Sequence, residues 1–143
     1  MRIKKEIIDK FKAVLKKENL KFTNQRFIIF NALLENSGHF ECDDILDIVN
    51  ANGKRISQAT AYRTLDLLVK YGFARKLVLD DGVAKYENKI LSEHHDHMID
   101  IETNEIIEFV NDEIEKIQDK IAKDHGYTIV KHVHQLFVKK NEK

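Results

Sequence analysis

The sequence has no proline, no tryptophan, five glycines and a single cysteine, Cys42, among its 143 residues. One cysteine cannot form an internal disulfide, and it cannot supply a zinc site that needs several thiolates. No apolar run is long enough for a secretory signal peptide or a transmembrane helix. Repeats, low-complexity segments and linker-like stretches are also absent, so any hinge between domains is expected to be short. These absences favour a soluble cytoplasmic protein of one domain or two small ones, with no membrane partner.

Charge is balanced overall but unevenly distributed along the chain. Residues 1–30 contain nine basic and three acidic side chains, and residues 54–76 contain six basic and one acidic. Residues 91–143 contain seven basic and twelve acidic side chains, a net charge of −5. A basic region favours a polyanion such as DNA, and acidic residues favour a divalent cation. A solvated charged face is the simpler alternative for each region.

Amphipathic periodicity predicts four helices in the basic half of the chain. The first spans residues 3–18, and the second begins after Thr23, whose hydroxyl suits an N-cap. The third spans residues 43–50, and the fourth spans residues 58–71 with Ser57 as its N-cap. Several short helices in sequence favour a small helical domain.

Two strand-like segments, residues 73–79 and 83–87, follow the fourth helix and flank the turn sequence Asp80-Asp81-Gly82. Helices followed by a two-stranded hairpin have the order of a winged helix-turn-helix domain. In that arrangement the helix nearest the hairpin enters the major groove of DNA. The first half of the chain is therefore predicted to bind double-stranded DNA.

The acidic half is predicted to form a small β-β-α-β unit. Its strands are expected at about residues 92–101, 106–109 and 128–138, and its helix at residues 112–123. A unit of about 50 residues buries little surface by itself. We therefore expect its apolar faces to pair with a second copy in a homodimer.

Four potential metal ligands stand in a row at His94, His95, Asp96 and His97. In a β-strand, successive side chains point to opposite faces, so His95 and His97 share one face, and the other two share the opposite face. One strand thus offers two ligands to each of two sites, and the remaining ligands must come from elsewhere in the chain. A solvated histidine-rich loop is the alternative for this stretch.

The chain resembles the ferric uptake regulator (Fur) family of metal-dependent bacterial repressors along nearly its whole length. The resemblance is carried by KFTNQR at residues 21–26, ATAYRTL at 59–65, HHDHMI at 94–99, IIEF at 106–109 and His-Gly at 125–126. Each motif is modest by itself, whereas their order and spacing together are specific.

The resemblance implies an α+β fold, with a winged helix-turn-helix DNA-binding domain at residues 1–87 and a small α/β dimerisation and metal-binding domain at residues 88–143. It implies a transcriptional repressor rather than an enzyme, with no small organic substrate. Such a repressor senses Fe²⁺ or Mn²⁺ and binds AT-rich palindromic operators as a homodimer.

Two metal sites are also implied by the resemblance, and both would use only nitrogen and oxygen ligands. Such ligands suit Fe²⁺ or Mn²⁺, and they would also accept Zn²⁺ or Co²⁺ in vitro. The sensing site would use His39, Glu87, His95, His97 and Glu108, and the second site would use His94, Asp96, Glu115 and His132.

His134 is predicted to be a strand residue without a function.

The resemblance also implies that the recognition helix contacts DNA, with Tyr62 against thymine methyl groups and Arg63 at a phosphate or a guanine edge. Tyr62 also falls on the apolar stripe of that helix, so a core position is the alternative. Residues at the start of the helix would contact phosphates or serve as caps. The complete set of expected DNA-binding residues is Lys21, Arg26, Ser57, Gln58, Thr60, Tyr62 and Arg63.

One departure from the family pattern concerns the structural zinc that many members hold with two Cys-x-x-Cys pairs. Asp100 and Thr103 stand where the first pair would be. The cysteine-ligated zinc is therefore expected to be absent, and dimer packing is expected to stabilise the domain more strongly instead.

Four alternatives to an iron or manganese sensor are compatible with the sequence. The chain could be a zinc-sensing or peroxide-sensing member of the family, although Glu108 stands where peroxide sensors favour aspartate. Its metals could instead be purely structural. A small non-heme metalloenzyme could use His95, His97 and a carboxylate, but the sequence shows no nucleophile arrangement and no glycine-rich phosphate loop.

Overall fold

The computed structural model of the chain describes residues 2–51, 53, 55–90 and 95–142. The chain divides into two compact units: unit 1 is Met1–Val78 with Val83–Ser92, and unit 2 is Leu79–Gly82 with Glu93–Lys143. Within the described residues, every helix is too short or too polar to span a membrane. The elements are α1 (Arg2–Lys17), α2 (Asn24–Glu35), α3 (Cys42–Asn50), α4 (Gln58–Lys70), β1 (Ala74–Val78), β2 (Ala84–Asn88), β3 (Asp96–Asp100), β4 (Ile106–Phe109), α5 (Asp112–Asp124) and β5 (Gln135–Val138).

The helices of unit 1 begin at the side chains that suit their first turns. The hydroxyl of Thr23 accepts a hydrogen bond from the backbone N–H of Arg26 at 3.2 Å, and that of Ser57 accepts one from Thr60 at 3.2 Å. Each bond satisfies a backbone donor that the first turn leaves without an intrahelical partner. Both predicted N-caps are confirmed. Helix α3 begins one residue earlier than predicted, at Cys42.

An aromatic cluster forms the centre of unit 1. The rings of Phe11 and Phe30 stack with centroids 4.2 Å apart, and Phe73 meets both rings edge-on. Ile45 and Leu65 are fully buried in the same core. Burying one such side chain contributes about 1.5–3 kcal/mol, so the helices of unit 1 are held by an extensive apolar core.

Strands β1 and β2, both in unit 1, form the hairpin of the predicted wing. Strands β1 and β2 pair antiparallel from Ala74–Asn88 to Val78–Ala84. Gly82 has φ +83° in the turn, a conformation that glycine adopts without steric cost. Phe40 forms a bridge with Tyr86, through backbone hydrogen bonds of 2.9 and 2.7 Å. This bridge ties the segment before α3 to the wing.

Unit 2 contains a three-stranded sheet in the order β4-β3-β5. Central β3 pairs antiparallel with β4 and parallel with β5. The prediction of a last strand at 128–138 is wrong over its first seven residues, because β5 covers only Gln135–Val138. The ladder with β3 starts at the pair His97–Gln135, so the residues before 135 lie beyond its end. His132 therefore precedes the strand on which it was expected.

Unit 2 exposes many apolar side chains. On α5, Ile117 is 59% exposed and Ile121 is 55% exposed, although both were predicted to lie on its apolar stripe. The same holds after the helix and on β5, where exposed apolar residues include Tyr127, Val130, Val133 and Phe137. Large exposed apolar side chains in this number are typical of a surface that a partner covers.

Candidate metal centres and nucleic-acid interface

A carboxylate–histidine cluster lies on one side of the sheet in unit 2. The Nε2 atom of His132 is 3.0 Å from Oδ1 of Asp96 and 3.5 Å from Oε1 of Glu115. The ligand atoms of all three residues lie within 4.8 Å of one another. Asp96 is 2% exposed on β3, Glu115 is in the first turns of α5, and His132 precedes β5. Strand β3, helix α5 and the segment before β5 thus bring one ligand each to the predicted second site.

This donor set fits a divalent first-row metal ion. Two carboxylates and an imidazole supply oxygen and nitrogen without thiolate, a combination that Fe²⁺, Mn²⁺, Co²⁺ and Zn²⁺ accept. A buried carboxylate such as Asp96 is costly unless it is paired with a cation or a hydrogen-bond donor. His94, the fourth residue predicted for this site, lies outside the described residues.

The opposite face of β3 carries a second group of ligands. His97 is directly paired with Glu108 across β3 and β4, and Nε2 of His95 is 3.4 Å from Oε1 of Glu108. The rings of the two histidines are 4.7 Å apart and nearly perpendicular. Ligand atoms of all three residues lie within 4.8 Å of one another. His97 follows Asp96 on β3, so side-chain alternation puts these two on opposite faces, and His95, which immediately precedes the strand, lies with His97.

In unit 1, Nε2 of His39 lies close to Oε2 of Glu87. Their position follows from the fold, because Phe40 and Tyr86, the next residue and the preceding one, are the bridge partners. Arg75 lies opposite Glu87 in the wing and donates to its Oε1 at 2.8 Å. Sequence reasoning missed Arg75, although pairing the two wing strands around the Gly82 turn would have placed it there.

The predicted recognition helix α4 exposes its DNA-binding candidates. Tyr62 is 43% exposed, and Arg63 and Gln58 are also exposed. The alternative in which Tyr62 is a core residue is therefore wrong. The inward stripe is filled instead by residues that recur at spacings of three and four and so share one helix face: Ala61, Thr64, Leu65 and Leu68.

The other predicted DNA-binding residues divide into exposed and structural ones. Lys21 and Ser57 are exposed, and Thr60 is half-buried. The guanidinium of Arg26 donates to the backbone carbonyl of Lys21 at 2.6 Å. Arg26 thus holds the segment between α1 and α2 that presents Lys21, and Ser57 caps α4.

Two residues bear on the expected lack of thiolate metal ligands: Cys42 and Asp100. Cys42 is 2% exposed, and burial raises the pKa of its thiol to about 11, so the metal-binding thiolate is disfavoured at neutral pH. The carboxylate of Asp100 accepts backbone hydrogen bonds from Glu102 at 2.8 Å and Thr103 at 3.2 Å. These hydrogen bonds lower the pKa of Asp100. The turn from Asp100 to Thr103, where many family members have their first cysteine pair, is therefore held by hydrogen bonds to a carboxylate.

The Ferric uptake regulator family model matches residues 17–137. The chain is 33% identical over 130 residues to the ferric uptake regulation protein of Brucella abortus biovar 1 (strain 9-941), covering 91% of this chain and 92% of that protein. It is similar to a structure of the ferric uptake regulator from Pseudomonas aeruginosa with manganese, with a TM-score of 0.78 and 32% identity over 90% of this chain and 96% of the other. The Helicobacter pylori regulator Fur, whose structure reveals three functional metal-binding sites, gives a TM-score of 0.81 and 29% identity, covering 95% and 90% of the two chains.

Proposed function

The chain belongs to the ferric uptake regulator family, and we propose that it is a cytoplasmic repressor that binds AT-rich palindromic operators as a homodimer when Fe²⁺ or Mn²⁺ is bound. Proteins of this family are transcriptional regulators and not enzymes. The observation that carries the proposal is the pair of ligand groups on the two faces of β3, one around His97 and the other around Asp96.

The proposed metal follows from the donor atoms. The candidate ligands are imidazoles and carboxylates, and such sites select among first-row ions by geometry and availability rather than by softness. Zn²⁺ and Co²⁺ would also bind in vitro. The Pseudomonas aeruginosa relative has been solved with manganese, which supports manganese beside iron as the physiological signal.

The proposed mechanism is a shift in the population of conformations. Unit 1 supplies His39 and Glu87, and unit 2 supplies His95, His97 and Glu108; we propose, from the family resemblance, that one ion takes ligands from both groups. Such an ion would restrict unit 1 to orientations in which two copies fit an operator. A coupling free energy of about 1–3 kcal/mol would change DNA affinity roughly 5–150-fold. The ion would act only through its different affinity for the two states.

We assign DNA binding to unit 1 and dimerisation to unit 2. The exposed α4 residues Tyr62 and Arg63 would contact bases and phosphates in the major groove. A second copy of unit 2 would cover the exposed Ile117 and Ile121, removing apolar surface from water. A two-fold dimer matches the symmetry of a palindromic operator.

The proposal is tested by fluorescence anisotropy of the chelator-stripped protein on an AT-rich palindromic duplex. Mn²⁺, Fe²⁺ under anaerobic conditions and Zn²⁺ are titrated against the unaltered chain, His97→Ala and the control His125→Ala. His125 is an exposed residue at the end of α5, where Nδ1 contacts the carbonyl of Ile121. We expect tight, metal-dependent binding that His97→Ala loses and His125→Ala keeps. Binding that is indifferent to metal would refute the sensor function.

A further inference from the structure

His134 lies beside the second candidate metal site but belongs to neither group of candidate ligands. Its Nδ1 atom is 3.9 Å from Oδ2 of Asp96. This nitrogen is buried, and no hydrogen bond to it is found within the described residues. A buried polar atom without a hydrogen-bond partner destabilises the folded chain. The position of this imidazole therefore requires an explanation that the proposed function does not provide.

The imidazole of His134 is held in place by two strands. The backbone N–H of His97 donates to the carbonyl of His134 at 3.2 Å, which fixes the residue beside β3. The ring of Phe109, on β4, meets the imidazole edge-on with centroids 5.6 Å apart. His134 is thus fixed relative to the strand that carries Asp96.

The carboxylate of Asp96 has an imidazole at each of its oxygens. Oδ1 is 3.0 Å from Nε2 of His132, whereas Oδ2 faces Nδ1 of His134 at 3.9 Å. The shorter distance suits two ligands of one ion or a hydrogen bond, and the longer one exceeds hydrogen-bond length. The residues whose ligand atoms all lie within 4.8 Å of one another are Asp96, Glu115 and His132, and His134 is not one of them. Its imidazole therefore lies beside the second oxygen of the carboxylate and outside the ligand group.

We propose that His134 is a positioning residue of the second metal site, donating Nδ1–H to Oδ2 of Asp96 so that Oδ1 is directed towards the metal ion. The proposal rests on the proposed function, because it takes the cluster of Asp96, Glu115 and His132 to bind a divalent metal. A shift of about 1 Å would bring the two atoms to hydrogen-bond distance. Carboxylates that bind metals are commonly oriented by such a partner, and its loss typically lowers metal affinity about 10–100-fold.

The test measures Co²⁺ binding to the full chain by visible absorption, in a His97→Ala background that removes one ligand of the other group and so weakens binding there. His134→Leu deletes the donor, His134→Asn retains an N–H near the position of Nδ1, and His134→Gln places it near Nε2. We expect His134→Leu and His134→Gln to weaken Co²⁺ binding about 10–100-fold and His134→Asn to restore most of it. The band positions at saturation should be the same in every variant, because the ligands are unchanged.

Several outcomes would overturn the proposal. Unchanged affinity in His134→Leu would show that the imidazole does not act on Asp96, and altered absorption bands would show that His134 is itself a ligand. If His134→Leu does not fold, as judged by circular dichroism of the metal-free chain, the matched pair of Asn and Gln variants still decides the outcome. Absence of Co²⁺ binding in the His97→Ala parent would reject the second site itself, and it is distinguishable because it precedes any change at His134.

Discussion

In unit 1 the buried side chains are mostly apolar, with Phe11 and Phe30 at the centre. Unit 2, in contrast, buries the ionisable residues Asp96, His97 and Asp100 and exposes large apolar side chains on α5 and β5. A domain with a continuous apolar core holds its fold by itself. A small sheet that buries ionisable groups gains stability from a cation, and its exposed apolar surface gains from a partner. The contrast supports the proposals that a metal ion and a second copy act on unit 2 and that unit 1 presents the DNA-binding surface.

The largest expected effect comes from the core of unit 1. Phe30→Ala removes a fully buried ring and should lower the free energy of unfolding by about 3–5 kcal/mol. Phe137→Ala removes the same atoms from a half-exposed position in unit 2 and should cost less in the monomer. Chemical denaturation at low protein concentration measures both. Equal losses would contradict the difference between the two units.

Metal should stabilise unit 2 more than the core of unit 1. At a concentration one hundred times its Kd, Mn²⁺ stabilises the state that binds it by about 2.7 kcal/mol. Hydrogen exchange followed by mass spectrometry should therefore show slower exchange in β3 and β4 and little change in α1. Mg²⁺ is the matched control, because it prefers oxygen ligands and retains its waters. Equal protection of both units, or protection by Mg²⁺, would count against the candidate sites.

The exposed stripe of α5 should control dimerisation. Ile117→Ser is expected to weaken the dimer about tenfold or more, which corresponds to about 1.4 kcal/mol. Lys116→Ser alters a neighbouring exposed position on the same helix and should leave the dimer intact. Sedimentation equilibrium measures both dissociation constants. An unchanged constant for Ile117→Ser would place the dimer contact on another surface.

The smallest expected effect is a pH dependence in the turn after β3. Hydrogen bonds from Glu102 and Thr103 lower the pKa of Asp100 in the folded chain. Its contribution to stability is therefore present above its unfolded pKa and lost as pH falls through the lower folded pKa. Asp100→Asn keeps an oxygen acceptor but cannot ionise, so the fall in thermal stability of unit 2 on acidification should be smaller in this variant. The same acid dependence in both proteins would contradict the role of Asp100.

Local features of the fold could be predicted because they depend on neighbouring residues. Thr23 and Ser57 were identified as caps since an N-cap bonds to a backbone N–H only three residues further along the chain. The glycine turn of the wing and the alternation along β3 are local in the same sense. The spacing of His95 and His97 was therefore enough to place them on one face.

Contacts that depend on strand register could not be predicted in this way. The last strand was expected to begin too early. The length of β5 is set by its pairing with β3, and that pairing begins at His97 and Gln135. The contacts of Arg75 with Glu87 and of His134 with Asp96 join residues that only the folded sheets bring together. Helical spacing placed Tyr62 on the apolar stripe. A tyrosine ring suits either an apolar core or an exposed surface, and periodicity alone does not choose between them.

We propose that metal and DNA bind to the same chain with a shared coupling free energy. This proposal is tested most directly by measuring Mn²⁺ affinity by calorimetry with and without a saturating AT-rich palindromic duplex. Linkage requires DNA to raise Mn²⁺ affinity by the factor by which Mn²⁺ raises DNA affinity, which we expect to be roughly 5–150-fold. An Mn²⁺ affinity that the duplex leaves unchanged would contradict metal control of DNA binding.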